Sequence, residues 1–256
     1  HRLRRMAQPV GTGCGRHTAP RATRAPGPSH RTTPPGDSAL SELRVVLLSG
    51  SFEYDSEESL VILRDYLHAN APVECELVVF ESEEDEQSLA AIDDADVVVV
   101  FTRRLLTAGA ALERFQRYCH DGRPVVGVRT ASHGFQNWLD FDRDVLGGHY
   151  EGHYGSGATT KVGFAPDVLE HPVLQGVEPF DAHGSLYKNT PLADDTDLLL
   201  VGQEGEHREP VAWTCERAGR AFYTSLGHQH DFWELDFLRL VRNGILWSVN
   251  QPNTPR

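Results

Sequence analysis

The sequence predicts an α/β fold, a mostly parallel sheet flanked by helices, with one long loop-rich insertion. Three observations carry that prediction. Short unbroken apolar runs, such as Arg44–Ser49 (RVVLLS) and Val97–Phe101, have the length and β-branched content of strands buried on both faces. Segments with apolar residues at helical spacing alternate with them, as parallel strands joined by crossover helices require. Residues 139–195 then break the alternation, being dense in Gly, His and Tyr. A loop of that length inside a domain is usually functional.

In chain order, Arg44–Ser49 is the first strand and ends in Gly50-Ser51. Ser56–Ala69 follows as a helix, with Leu60, Leu63 and Leu67 on one face. Val73–Phe80 is the second strand, Glu81–Glu86 an acidic loop and Asp96–Phe101 the third strand. Thr107–His120 reads as a helix capped by Thr107, its apolar face formed by Ala111, Leu112, Phe115 and Tyr118. Pro124–Val128 is the fourth strand. Past the insertion, Asp197–Val201 is strand-like, and Pro210–Glu216 with Arg220–Ser225 forms a hairpin turning at Ala218-Gly219. Leu235–Val249 closes the chain as a helix.

Composition divides the chain into a disordered basic leader (1–40), one folded domain (41–250) and a short tail (251–256). The leader holds seven arginines against the single acid Asp37, with no hydrophobic periodicity. The remainder carries 17 basic and 36 acidic residues. So acidic a body repels phosphate backbones, which excludes nucleic acid as a partner of the folded domain. No run reaches the ~18 apolar residues of a membrane span. Four scattered cysteines (Cys14, Cys75, Cys119, Cys215) without a C-x-x-C pair suit a reducing compartment. The expectation is a cytoplasmic protein whose partner is a small molecule, with homo-oligomerisation left open.

Ligands of open parallel sheets bind beyond the carboxyl ends of the strands. That rule selects Ser51, Glu53 and Tyr54 after the first strand and Thr102, Arg103 and Arg104 after the third. It selects Arg129, Thr130, Ser132 and His133 after the fourth, and His228 and His230 after the last hairpin strand. The stretch P-V-V-G-V-R-T-A-S-H (124–133) has the form of a strand entering a tight turn, where related enzymes expose a nucleophile near helix N-terminal amides. Thr130 and Ser132 would need a neighbouring base to serve as one, and Cys119 falls inside a helix.

Eight of the 13 histidines lie between residues 133 and 230. His133 and His228 stand out because each follows a strand end, where imidazole can work as acid, base or metal ligand. His149 and His153 have i,i+4 spacing, but in a glycine-rich context unlike a helix. His171 and His207 sit in ordinary turns. Arg103 and Arg129 suit a clamp on hydroxyls or a carboxylate, or equally a buried pair with a core acid. Tyr150, Tyr154, Tyr187, Trp138 and Trp233 can stack on a sugar face or simply fill the core. Lys188 is one of only two lysines against 22 arginines.

Seven stretches, in order across residues 44–249, resemble the ThuA-like family. They are Gly50-Ser51-x-Glu53-Tyr54, Phe101–Arg104, Gly127–His133 with Phe135–Trp138, Gly147-Gly148-x-Tyr150-x-Gly152–Tyr154, Gly184–Asn189, Glu209–Thr214 and Phe222–His228. The resemblance implies the flavodoxin-like fold of class I glutamine amidotransferases without their cysteine. Those enzymes carry Gly-x-Cys-x-Gly at the fourth-strand turn; here Arg129 stands in the cysteine's place, which argues against glutamine hydrolysis. His228 matches the position of their catalytic histidine, while Asp231 is displaced by one from their acid. The family name implies trehalose or related disaccharide use, with keto-sugar intermediates, and some relatives hold a metal.

The leading expectation is therefore a carbohydrate-processing enzyme acting on a sugar or keto-sugar by proton abstraction beside a carbonyl. His133, His228 and Arg129 are its catalytic candidates, and Glu53, Tyr54, Arg103, Thr130, Tyr187 and Lys188 its substrate-binding candidates. A divalent metal ion is the cofactor the resemblance allows, with His133, His153 and His228 as candidate ligands. From a different class comes a non-catalytic sugar-binding or regulatory module on the same fold. A metal-dependent hydrolase would need a clear set of three ligands.

Overall fold

A computed structural model describes residues 42–155 and 157–250. The leader and tail expected from composition lie outside the described residues. The chain runs β1 (Leu43–Gly50), α1 (Ser56–Asn70), β2 (Val73–Val79), β3 (Val97–Thr102), α2 (Gly109–His120) and β4 (Val125–Val128). The insertion supplies β5 (His153–Tyr154), β6 (Thr159–Phe164), β7 (Phe180–His183) and β8 (Leu186–Tyr187). Then come β9 (Thr196–Glu204), β10 (His207–Cys215), β11 (Ala221–Thr224) and α3 (Leu235–Ser248).

Nine strands form one sheet in the order β2-β1-β3-β4-β11-β10-β9-β6-β7. The five strands from β2 to β11 are mutually parallel. The other four add antiparallel. β5 and β8 pair separately as a short ribbon. The insertion is thus part of the sheet at β6 and β7, and a cover over it at β5 and β8.

Burial explains the unbroken apolar runs. Val45 and Leu47 of β1, Val97 and Val99 of β3 and Phe222 of β11 join the core under α1 and α3. Their neighbours Val46, Leu48, Val98, Val100 and Tyr223 join the core under α2. Because side chains alternate across a strand, a strand covered on both faces needs an apolar residue at every position. The helix α3 lies close on the sheet, since a Cβ added at Gly244 would come within 2.2 Å of the Phe222 ring.

The second helix differs from expectation at its start. It begins at Gly109 with Ala108 as N-cap and no capping side chain. Gly109 takes a φ of 54°. The chain turns there, two residues past Thr107, so the threonine hydroxyl is out of register with the first helical N–H groups and is buried without a hydrogen-bond partner.

Candidate functional site

Four strand ends and the insertion enclose a polar cleft of about 310 Å³. Glu53 and Tyr54 reach it from beyond β1, Arg103 and Arg104 from beyond β3, His133 from beyond β4 and His228 from beyond β11. The insertion contributes Tyr150, His153, Gly184, Ser185 and Tyr187. His133 and His228, 95 residues apart, therefore line one cleft, because β4 and β11 are adjacent and parallel.

Arg129 lies against that cleft. It opens the turn after β4 with φ 47°, a left-handed conformation that strains a residue bearing a Cβ. The Tyr223 hydroxyl holds the turn by donating to the Arg129 carbonyl at 2.6 Å. Its side chain is 1 % exposed. Nη1 donates to the Ser225 carbonyl at 2.9 Å, and Nη2 to the Tyr54 hydroxyl and the Ser185 carbonyl, both at 3.3 Å. The guanidinium carbon sits 4.7 Å from the ring centroids of both Tyr54 and Tyr187. Among the described residues no carboxylate lies within ion-pair distance of it, and Nε has no partner. The buried pair with a core acid does not form. Gly184 leaves room for this packing, since a Cβ there would meet Nη2 at 2.7 Å.

The two histidines have different surroundings. The His133 ring stacks on Tyr150 with centroids 4.4 Å apart, and its Nδ1 is 3.1 Å from the Ser132 hydroxyl. Burial first, then the positive charges of Arg103, Arg104 and Arg129, push its pKa down to about 3. The ring is uncharged at neutral pH. His228 lies edge-on to Tyr54, 5.7 Å between centroids. Its Nδ1 accepts the His230 backbone N–H at 3.3 Å, which leaves the proton of the neutral ring on Nε2. Burial and Arg129 lower its pKa as well.

Sequence reasoning missed His183. The carboxylate of Asp231, wholly buried, accepts the His183 backbone N–H at 2.7 Å and approaches His183 Nδ1 at 2.9 Å with Oδ1. Its Oδ2 accepts the backbone N–H groups of Gly227 and His228 at 3.0 and 3.1 Å. Asp231, displaced by one from the position of the amidotransferase acid, thus orients His183 and the His228 backbone. The His183, His228 and His230 rings cluster with centroids 5.0 to 6.1 Å apart.

Of the other predicted residues, Glu53 and Tyr187 line the cleft, while Thr130 and Lys188 do not. Glu53 pairs with Arg103 at 3.1 Å on the cleft's lip. Tyr187 is 3 % exposed, and burial raises its pKa. Thr130 is a correction: it is fully buried and its hydroxyl donates to Ser51 at 2.8 Å, tying two strand ends together and offering no group to a ligand. Lys188 is also a correction, being absent from the cleft lining, with Nζ 4.5 Å over the Tyr154 ring. Strand pairing explains it, since His153 sits opposite Tyr187 across the β5–β8 ribbon and both face the cleft, while the next side chain points away. For a metal, no group of three or more His, Cys, Asp or Glu among the described residues is arranged to hold one. His133 and His153 share their cleft with two arginines, which disfavours a cation there. Cys119 is buried in α2, and burial raises its thiol pKa.

The comparisons fit this architecture. The sequence model of the trehalose utilisation family, ThuA, matches residues 44–248. A comparison with curated proteins returns no match. A ThuA-like protein from Bacteroides uniformis ATCC 8492 is 17 % identical, with a TM-score of 0.66, over 86 % of this chain and 97 % of its own. One from Parabacteroides merdae ATCC 43184 is 18 % identical, with a TM-score of 0.68, over 83 % and 92 %. A glutamine amidotransferase from Thermotoga maritima has the same fold at 12 % identity and a TM-score of 0.52, over 82 % and 99 %. Among the described residues no helix is long and apolar enough to cross a membrane.

Proposed function

The chain belongs to the ThuA (trehalose utilisation) family, and from that membership we propose that its cleft processes a sugar or keto-sugar by acid/base chemistry at a carbon beside a carbonyl. The observation that carries this reading is the convergence of His133 and His228 on one cleft, beside the hydroxyls of Tyr54 and Tyr187 and the Arg129 charge. His228, protonated on Nε2, donates to the carbonyl oxygen. Tyr54, polarised by Arg129 Nη2, shares the charge that grows there. His133, uncharged, accepts the C–H proton. The resulting enediol takes that proton from His133 at the former carbonyl carbon, giving the isomer, or expels from the next carbon a group that leaves with that proton; in both, an enediol hydroxyl returns a proton to His228. Positioned acid and base groups contribute roughly 10²–10⁴-fold each.

A second reading, a sugar-binding module without turnover, draws on the low His133 pKa, because so weak a base abstracts carbon protons poorly. Proton NMR in D₂O separates the two. With a 3-keto-glucoside, the enzyme reading expects loss of the C–H signal beside the carbonyl, slowed at least ~10²-fold by His228→Gln. Saturable binding of the sugar without exchange supports the module. Neither binding nor exchange with neutral or acidic sugars would overturn both.

A further inference from the structure

We propose that the cleft is built for an acidic sugar, one whose carboxylate or other anionic oxygen group is held between Arg104 and the Arg129-backed wall of Tyr54, Tyr187 and Gly184. The inference rests on the sugar reading above and specifies its ligand.

Charge is the first ground. The body beyond residue 40 is strongly acidic, yet Arg103 and Arg104 line this cleft and Arg129 lies directly behind it. Glu53, the cleft's one carboxylate, is committed to Arg103. Glu83 adds to that same arginine from 4.0 Å. Arg104 and Arg129 have no carboxylate at ion-pair distance among the described residues, so one positive charge lines the cleft and a second lies behind its wall, both without a counter-charge.

The second ground is the burial of Arg129. Taking an arginine out of water is unfavourable unless charge and hydrogen bonds offset it. Here carbonyls, one hydroxyl and two aromatic faces satisfy part of the guanidinium, while Nε is left without a partner. Asp231, an acid whose charge acts on it, is already engaged by four N–H groups. The strained φ of Arg129 adds a further cost. An anionic ligand supplies the missing counter-charge.

Backbone geometry is the third. Arg104 also has a left-handed φ, 52°, and its N–H donates to the His133 carbonyl at 2.9 Å. That bond fixes the arginine beside the imidazole. Burial aside, the same arginines hold the His133 pKa down. A bound anion would offset that part of the shift and leave the part due to burial.

The test is calorimetric titration of the full chain with glucuronate, glucose 6-phosphate and glucose at low and high NaCl. Glucuronate should bind at least about tenfold tighter than glucose and lose that advantage in high salt. Arg104, being exposed, can be replaced without risk to folding, and Arg104→Gln should remove most of the preference. Tighter binding of glucose 6-phosphate than of glucuronate would assign the anionic group as phosphate. Equal binding of glucose and glucuronate would overturn the acidic-sugar inference and leave the sugar reading standing. Failure of all three to bind would overturn both. An unchanged preference in Arg104→Gln would remove Arg104 from the site.

Discussion

Asp231 Oδ1 lies 2.9 Å from His183 Nδ1, although 48 residues separate them in the sequence. The carboxylate is wholly buried and joins the insertion to the loop after β11. This one acid therefore fixes both an imidazole and the backbone that carries His228.

Asp231→Ala should be among the most damaging single changes in the domain. It strips the acceptor from three backbone N–H groups and one imidazole. Leaving such donors buried costs ~1–3 kcal/mol each when unmet, and local relaxation will recover part of that. Urea unfolding should show a loss of roughly 2–4 kcal/mol, with Asp231→Asn intermediate. A loss below half a kcal/mol would mean that the network is ornamental.

His133 predicts how stability changes with pH. Its folded pKa of about 3 lies below the ordinary histidine value of 6.5, so the unfolded chain binds the proton more readily. The stabilisation by the neutral ring is fully present above pH 6.5 and disappears as the pH falls toward 3. Asp142 opposes this, because burial raises its carboxyl to about 6, and its folded form takes up a proton first. Comparing wild type with His133→Asn cancels the Asp142 contribution. The variant should lose less stability between pH 6.5 and 4, by on the order of a few kcal/mol. Parallel curves would show that His133 titrates normally.

Gly184→Ala should disable the cleft. The glycine has φ 81°, and a Cβ would stand 2.7 Å from Arg129 Nη2 and 3.2 Å from His228 Cδ2. A cost of about 1–3 kcal/mol in stability is expected from the backbone strain and displaced arginine. Ligand-induced thermal shifts should vanish at temperatures where the variant is still folded. A variant with wild-type shifts would show that the arginine can move without consequence.

Glutamine should release no ammonia above the buffer rate. Arg129 occupies the elbow, and Cys119 is 1 % exposed with its thiol pKa raised by burial. Release that is abolished by Cys119→Ala would show an alternative elbow.

Strand runs were legible because burial on both faces leaves Val45–Leu48 of β1 and Val97–Phe101 of β3 wholly apolar, a local signature. The cleft was legible in part for a topological reason. Once the strands were parallel, Tyr54, Arg103, His133 and His228 had to gather at one edge. Side-chain direction was not legible. Thr130 follows Arg129 directly but turns into the sheet to reach Ser51, and nothing in the sequence distinguishes it from a cleft residue. Nor was His183: it ends β7, a strand whose membership in the main sheet depends on pairing with β6 across the insertion. Its acid partner lies on a loop that only the folded chain brings near.

The sheet order carries a consequence for self-association. Among the described residues β2 ends the sheet on one side and β7 on the other, and both margins offer backbone groups on which a second chain could grow by strand addition. On β2, Glu74 and Glu76 are exposed, and on β7 Asp181 is exposed. Two copies brought margin to margin would press carboxylates together in a protein already short of positive charge. Fibre-like polymerisation is thereby opposed at both margins.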